Sequence, residues 1–169
     1  MFRMALIRMD IQSVVVGAGP VASVVVLKPR HGDSGAKLPI RIGAFEAASI
    51  SMGVDGRRQK RPTTHDLLQN VISELGASVT SVVINNVRDT TFFAQVCMRN
   101  AQGESLSIDA RPSDALALAV RAHAPVFAES DVLSAATLPD FSSVERDQRE
   151  QEAQAFHDFV EGLSPDDFS

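Results

Sequence analysis

The sequence predicts an α+β fold, in which a mixed, largely antiparallel sheet packs with two or three helices and an acidic helix follows at the C-terminus. Three observations support this class. Runs of β-branched residues come in neighbouring pairs separated by short turns, as in "IQSVVV-GAGP-VASVVVLKP". Two other segments carry apolar residues at helical spacing. Strands and helices do not alternate regularly, which disfavours a doubly wound parallel sheet.

The first part of the chain is predicted to form a short meander and one small helix. "IQSVVV" and "VASVVVLKP" form a hairpin, and "LPIRIG" forms a short strand in which Leu38, Ile40 and Ile42 share one face. "AFEAASISMG" follows as a short helix. The loop "VDGRRQKRP" then holds the densest positive charge of the chain.

The clearest predicted helix lies in "RPTTHDLLQNVISELG". Thr63 or Thr64 is expected to cap its N-terminus, and Asp66 complements the positive end of the helix dipole. Gly76 is expected to end it. One apolar stripe is predicted along the helix: Leu67, Leu68, Val71, Ile72 and Leu75.

The second half is predicted to contain three paired strands, a helix and a last short strand. "SVTSVVINNV" and "TTFFAQVCMR" pair with each other, and "SLSIDA" follows as a third strand. The helix lies in "DARPSDALALAVRA", and "PVFA" forms the last strand. The single cysteine, Cys97, lies in an alternating apolar strand and is expected to be a packed thiol.

Charge divides the chain into a basic body and an acidic tail. Residues 1–128 hold 14 Lys and Arg against 10 Asp and Glu, whereas residues 129–169 hold 2 against 11. We therefore expect one domain over residues 1–135 and an acidic amphipathic helical tail over residues 136–169. No apolar run approaches the ~20 residues that span a membrane. With one cysteine and no convincing signal peptide, a cytoplasmic protein is expected.

The same local pattern occurs at two predicted helix N-termini, which we call the helix entrances. "RPTTHDL" at 61–67 and "RPSDAL" at 111–116 both place Arg-Pro before a hydroxyl residue and an aspartate. Proline, a Ser113 or Thr64 cap and an aspartate suit a helix start. Arg61 and Arg111 do not suit a helix start, because a cation is unfavourable at the positive end of the helix dipole. Their compensating anion is either a carboxylate in a structural ion pair or the phosphate of a ligand. We expect the two entrances to lie side by side.

Four segments, in this order and spacing, resemble the bifunctional nuclease domain family. They are "LPIRIGAFEAASI" (38–50), "RPTTHDLL" (61–68), "DTTFFA" (89–94) and "IDARPSDALALAVR" (108–121), and the resemblance covers about residues 11–135. It implies a compact α+β domain that forms a homodimer and cleaves both DNA and RNA. Low sequence specificity is then expected, because such substrates share only their backbone.

The matched polar positions give the candidate site residues. The catalytic candidates are His65, Asp66, Asp109 and Asp114, with His65 as a general base. Asp66, Asp109 and Asp114 are also the candidate ligands of Mg²⁺ or another divalent cation. Phosphate binding is assigned to Arg61, Arg111 and Ser113, and supporting roles to Glu46 and Asp89.

A non-catalytic module is the alternative function. In that case the same Arg and Asp cluster is structural and joins the two helix entrances in a binding or regulatory domain. The tail also leaves two alternatives. The stripe of Phe156, Phe159, Val160 and Leu163 docks on the body and competes with nucleic acid, or the tail is a solvated helix that aids solubility or extends a dimer interface.

Overall fold

The computed structural model describes residues 5–32, 35–57, 59–136 and 154. These residues contain seven strands and four helices. The strands are β1 (Leu6–Val15), β2 (Ser23–Pro29), β3 (Leu38–Ile42), β4 (Ser78–Arg88), β5 (Thr91–Arg99), β6 (Ser105–Ala110) and β7 (Val126–Glu129). The helices are α1 (Ala44–Val54), α2 (Thr64–Glu74), α3 (Pro112–Ala122) and α4 (Ser130–Ala136). The predicted α+β class is confirmed.

All seven strands belong to one mixed sheet with the order β3-β2-β1-β7-β4-β5-β6. Antiparallel pairing joins every neighbouring pair except β4 and β7, which are parallel. The short strand β7 therefore connects an N-terminal meander, β1 to β3, with a second meander, β4 to β6. The predicted hairpin of β1 and β2 is confirmed, with Val14 opposite Val25 and a register shift between Ile11 and Ser13.

Helices α1 and α3 pack against each other, α1 against β1 and β2, and α3 against β4 and β5. The middle of α3 is fully buried, from Ala115 to Ala119. An alternating set of β5 side chains faces it: Phe92, Ala94, Val96 and Met98. Small alanines on α3 let the helix lie close to the sheet, and this holds the start of α3 in a fixed position.

Helix α4 shows that the sheet is curled. It contacts β4 and β7 and also the edge strand β3. Three strands separate β3 from β4 in the sheet order, so one short helix reaches both only if the sheet bends around it. Val132, Leu133 and Ala136 of α4 are buried in the core.

The predicted apolar stripe of α2 is mostly exposed. Only Ile72 is buried, at 9% exposure, whereas Leu67 is 57% exposed and Leu75 is 73% exposed. Leu68 and Val71 are also exposed. Helix α2 packs on α3 at one side of the helical layer. Only a narrow strip of the α2 surface therefore contacts the core.

The tail beyond residue 136 lies outside the described residues except for Gln154, and so do the predicted acidic helix and its apolar stripe. The boundary expected at residue 135 stays a prediction. In the described part of the chain, no helix is long and apolar enough to cross a membrane.

Candidate active site at the two helix entrances

The entrance of α2 is closed by a capping box. Thr63 is the N-cap residue, and its backbone N–H and hydroxyl donate to Oδ2 of Asp66 at 2.8 and 2.7 Å. Thr63, one of the two expected caps, therefore holds this position. The other carboxylate oxygen, Oδ1, accepts from Nε of Arg121 at 2.6 Å.

Arg121 joins the three helices α1, α2 and α3. Besides Asp66 on α2, its guanidinium donates to the backbone oxygens of Ser49 on α1 and Ala117 on α3, at 3.2 and 2.8 Å. It also donates to the Ser49 hydroxyl at 3.2 Å. The Arg121 side chain is only 10% exposed, and it lines, with Asp66, an open depression of about 400 Å³ next to α2. Because the donors of Arg121 are engaged by all three helices, we interpret the pair of Asp66 and Arg121 as structural.

These contacts also lower the pKa of Asp66. The backbone hydrogen bond from Thr63, followed by those from Arg121 and the Thr63 hydroxyl, lowers the pKa of Asp66 to about 2. The carboxylate is thus ionised at any pH at which the protein is expected to function.

The entrance of α3 is built differently. Arg111 is the N-cap residue and Pro112 opens the helix, so Ser113 lies inside the first turn, 5% exposed, and is not the cap. Nε and Nη2 of Arg111 donate to the two carboxylate oxygens of Asp114 at 2.7 and 3.1 Å. Nη2 also lies 3.2 Å from Oε1 of Glu46, in the first turn of α1. Two carboxylates of the chain therefore compensate the charge of Arg111.

His65 connects the two entrances. Its Nε2 lies 3.1 Å from Oδ1 of Asp114, across 49 positions of the chain. Its Nδ1 lies 2.8 Å from the hydroxyl of Ser49 on α1. This contact brings the two entrances side by side at His65 and Asp114. It does not involve Arg61 or Asp109, which the expected shared site also included.

The charge of Asp114 determines which ring nitrogen of His65 carries the proton. Burial opposes ionisation of Asp114, but the hydrogen bonds from Arg111 and His65 outweigh it and hold the pKa of this carboxyl below its usual value. An ionised carboxylate only accepts, so Nε2 carries the hydrogen that is donated to it. In the neutral ring Nδ1 then accepts the Ser49 hydroxyl hydrogen. This chain of contacts runs from Arg121 through Ser49 and His65 to Asp114.

Three members of this chain of contacts, Ser49, His65 and Asp114, line an open groove of about 320 Å³, which we call the central groove. Helix α1 contributes Phe45, Glu46, Ser49 and Met52 to its lining. The two entrances contribute Thr63, Thr64, His65, Arg111 and Asp114. The N-terminus of α2 therefore opens into a space that also contains a cation and a histidine.

Five predicted site residues do not line this groove: Asp66, held by Thr63 and Arg121, and four others. Asp109 is exposed on β6 opposite Gln95, and Gln95 contacts Ser107 at 3.0 Å on the sheet face away from the helices. Asp89 is exposed in the turn between β4 and β5, where its φ of 54° fits a residue that tolerates the left-handed region. Arg61 is exposed in the loop before α2. Ser113 lines a second depression, on the other side of Arg111.

The three predicted metal ligands do not form one site. Asp66 is held by Thr63 and Arg121, Asp114 by Arg111 and His65, and Asp109 lies on the opposite face of the sheet. Among the residues that the structure describes, no group of three or more His, Cys, Asp and Glu side chains could hold a metal ion. The Arg111 guanidinium bridges Glu46 and Asp114, which is the place a cation would take between two carboxylates. The proposed set therefore does not fit a divalent cation.

Sequence reasoning missed Ser49 and Arg121. Arg121 is the only cation on α3 and follows an apolar run from Ala115 to Val120. It lies seven positions after Asp114, a spacing that places both on one helix face. This spacing was the available signal. Nothing in the sequence marks Ser49, because its role depends on the packing of α1 against α2 and α3.

Comparison with known proteins identifies the family of this chain. The family model described as the bifunctional nuclease domain matches residues 25–140. An uncharacterized protein of Mycobacterium tuberculosis is 38% identical over 149 residues, which cover 86% of this chain and 87% of that protein. Bifunctional nuclease 2 of Arabidopsis thaliana is 27% identical over 106 residues, covering 62% of this chain and 32% of the plant protein. Bifunctional nuclease 1 of the same plant is 28% identical over 104 residues, covering 60% and 32%. The chain belongs to the bifunctional nuclease domain family.

Proposed function

We propose that this chain hydrolyses phosphodiester bonds in DNA and RNA with low sequence specificity, and that the central groove is the site of cleavage. The observation that carries the proposal is the contact of His65 with Asp114 beside the exposed cation Arg111, in a groove open to solvent. Membership of the bifunctional nuclease domain family supports the class of reaction.

Arg111 is the group that would bind the scissile phosphate. Its side chain is 65% exposed, and exposed ion pairs contribute only about 0–1 kcal/mol. A phosphate can therefore replace Asp114 or Glu46 as the partner of Arg111 at small cost, and the planar guanidinium suits its oxygens. Arg121, with only 10% of its side chain exposed, lacks this freedom.

The N-terminus of α2 supplies further donors to the same groove. First-turn amides of a helix have no partner within the helix, and they favour an anion. Thr64 and His65 occupy this turn and line the groove. A phosphate between this turn and Arg111 would meet positive charge on two sides, which stabilises the charge that develops during hydrolysis.

His65 would take the proton from the attacking water. Asp114 holds Nε2, so the proton must reach Nδ1, which faces the Ser49 hydroxyl. Water reaches Nδ1 by displacing Ser49, or it passes its proton through that hydroxyl. The oxygen of the water forms a bond to phosphorus, the bond to the leaving oxygen breaks, and the leaving oxygen takes a proton from solvent.

The other predicted catalytic residues take different places in this proposal. Asp66 positions the first turn of α2 and with it His65. Asp109 takes no part, because it lies on the other face of the sheet. A requirement for Mg²⁺ stays an expectation from the sequence, and no step above passes through a metal.

Cleavage assays with a histidine variant test the proposal. We expect the purified chain to cut single-stranded DNA and RNA, and His65→Ala to lower the rate by on the order of 10²-fold or more. Asp131→Asn, an exposed carboxylate in the first turn of α4, is the matched control and should cut at the wild-type rate. Parallel reactions with EDTA test the metal.

Two results would contradict the proposal. One is wild-type protein that cuts neither polymer. The other is His65→Ala cutting as fast as wild type, which indicates a co-purifying nuclease. Binding of nucleic acid without cleavage would favour the non-catalytic module, a function that the closed pair of Asp66 and Arg121 also suits.

We also propose that the chain forms a homodimer through α2. The exposed stripe of Leu67, Leu68, Val71 and Leu75 is apolar, and the edge strand β6 adds the exposed Leu106 and Ile108. Exposed apolar patches of this kind mark contact surfaces.

A cytoplasmic location is proposed as well, because the lone Cys97 has no disulfide partner.

A further inference from the structure

Phe45 is the most exposed large apolar side chain of the described residues, at 91% exposure. A single exposed apolar residue is ordinary on a protein surface, so exposure alone carries no conclusion. The position of Phe45 is what separates it from Val16 or Val54, which are also exposed.

Phe45 lies at the rim of the central groove. It is the second residue of α1 and directly precedes Glu46, which contacts Arg111 at 3.2 Å. The ring and the guanidinium thus line one open space, together with the first turn of α2. An exposed aromatic face beside a phosphate-binding cation is the combination that proteins use to bind single-stranded nucleic acids.

We propose that Phe45 stacks on the nucleobase of the nucleotide whose phosphate Arg111 holds, and that the substrate therefore enters the groove as a single strand. The inference rests on the proposed function and names its substrate class. In a duplex each base is already stacked on both faces, so a base can offer a face to Phe45 only after it leaves the stack.

Stacking also agrees with low sequence specificity. Every base has a π face, so an aromatic platform accepts DNA and RNA of any sequence. No hydrogen bond to a base edge is needed, and Arg111 needs only the phosphate.

The composition of the chain provides a direct binding probe. The sequence contains no Trp and no Tyr, so Phe45→Trp introduces a single fluorophore at the rim of the groove. The same change in a His65→Ala background keeps the oligonucleotide intact during titration. Val16→Trp, on an exposed loop residue after β1, is the matched control.

We expect single-stranded oligonucleotides to quench the fluorescence of Phe45→Trp and to leave that of Val16→Trp unchanged. A duplex of the same sequence and an abasic strand should quench at least tenfold more weakly at equal concentration. Equal quenching by single strand, duplex and abasic strand would overturn the inference, as would no quenching by any of them.

A second experiment measures cleavage. Its outcomes distinguish a failure of the stacking from a failure of the proposed function. Phe45→Ala should lower kcat/KM for a single strand by about 5- to 150-fold and leave cleavage of an abasic strand unchanged. Wild-type protein that cuts nothing, with quenching limited to single strands, refutes the proposed function and supports the stacking. Wild-type and Phe45→Ala proteins that cut single strands equally refute the stacking alone.

Phe45→Leu tests whether the ring instead contacts a second copy of the chain. Leucine keeps an apolar contact but removes the π face. We expect Phe45→Leu to keep the oligomeric state of wild type and to bind single strands more weakly, measured as displacement of a labelled single strand. Loss of the oligomer with unchanged strand binding would overturn the inference.

Discussion

At the scale of single residues, the two arginines at opposite ends of α3, Arg111 and Arg121, have different roles. Arg121 donates to Asp66, to Ala117 and to both oxygens of Ser49, and its side chain is almost buried. Arg111 contacts Glu46 and Asp114 with most of its side chain in solvent. Burial decides the difference, because an exposed cation can exchange its partner and a buried one cannot do so without a large desolvation cost.

Asp66→Asn should destabilise the protein in a pH-dependent way. The substitution removes the charge that Arg121 and the capping box require, which we expect to cost about 1–3 kcal/mol at pH 7. The pKa of Asp66 is about 2 in the folded protein against a model value of 3.8, so its contribution is present above about pH 4 and is lost as the pH falls towards 2.

Denaturant unfolding of both proteins at a series of pH values from 7 to 2 checks this expectation. The stability difference between wild type and Asp66→Asn should shrink as the pH falls below about 4. A difference that stays constant down to pH 2 would show that the carboxylate charge does not contribute.

Asp109→Asn tests which site is catalytic. The site expected from the sequence includes Asp109, whereas the central groove of the structure does not. Asp109 is exposed on the far face of the sheet, so we expect the variant to cut DNA within about twofold of wild type and to melt within a few degrees of it. A loss of 10²-fold or more in cleavage, with an unchanged melting temperature, would restore Asp109 to the catalytic set.

At the scale of elements, the close approach of α1 to α3 fixes the site. A Cβ atom at Gly53 would overlap Cγ2 of Val120 and would lie 3.1 Å from Nη1 of Arg121. Glycine therefore lets the C-terminal half of α1 lie on α3, and this places Ser49 against His65.

Gly53→Ala should separate these two helices. Overpacking of this kind typically costs about 1–3 kcal/mol, which exceeds the gain of up to about 1 kcal/mol from replacing a helical glycine by alanine. We expect a lower melting temperature by calorimetry and slower cleavage, because Ser49 and Arg121 shift together. Gly56→Ala is no suitable control, since Gly56 has a φ of 65°, so Ala48→Gly serves to measure the helix propensity alone. A melting temperature at or above that of wild type would contradict the close-packing account.

The sequence predicted those strands and helices whose formation depends on a local pattern of residues. The hairpin of β1 and β2, the small helix α1 and the short strand β7 follow from β-branched runs, turn residues and helical spacing. The burial of α2 was not predictable, because its stripe has the right spacing but α2 lies at one side of the helical layer. The parallel pairing of β7 with β4 could not be predicted from the sequence either, because it depends on the crossover that α3 makes.

The candidate site likewise contains residues that a local pattern predicts and one, Asp109, that it places wrongly. The two entrances were recognisable from their repeated Arg-Pro pattern, and His65 and Asp114 do meet. Asp109 precedes Arg111 by only two positions, but it still belongs to the strand β6, where side chains alternate between the two faces. The sequence therefore placed Asp109 with its neighbours, whereas the strand directs its side chain away from them.

At the scale of the whole molecule, the exposed stripe of α2 is expected to form the contact between two copies of the chain. Leu67→Glu and Leu75→Glu together place two charges on that stripe, which would be unfavourable in an apolar interface. Light scattering after gel filtration should give twice the chain mass of 18.1 kDa for wild type and one chain mass for the double variant. Val16→Glu, on another exposed apolar residue, should remain dimeric. A monomeric wild type would contradict the homodimer.

The central claim is that His65 and Asp114, brought together by the two helix entrances, act as one unit in phosphodiester cleavage. The most direct test is a double-mutant cycle of cleavage rates on single-stranded DNA, with His65→Ala, Asp114→Asn and the double variant. Residues that act as a unit are strongly non-additive, so the double variant should be no slower than the slower single variant. Two independent losses that multiply in the double variant, or three variants that cut as fast as wild type, would contradict the account.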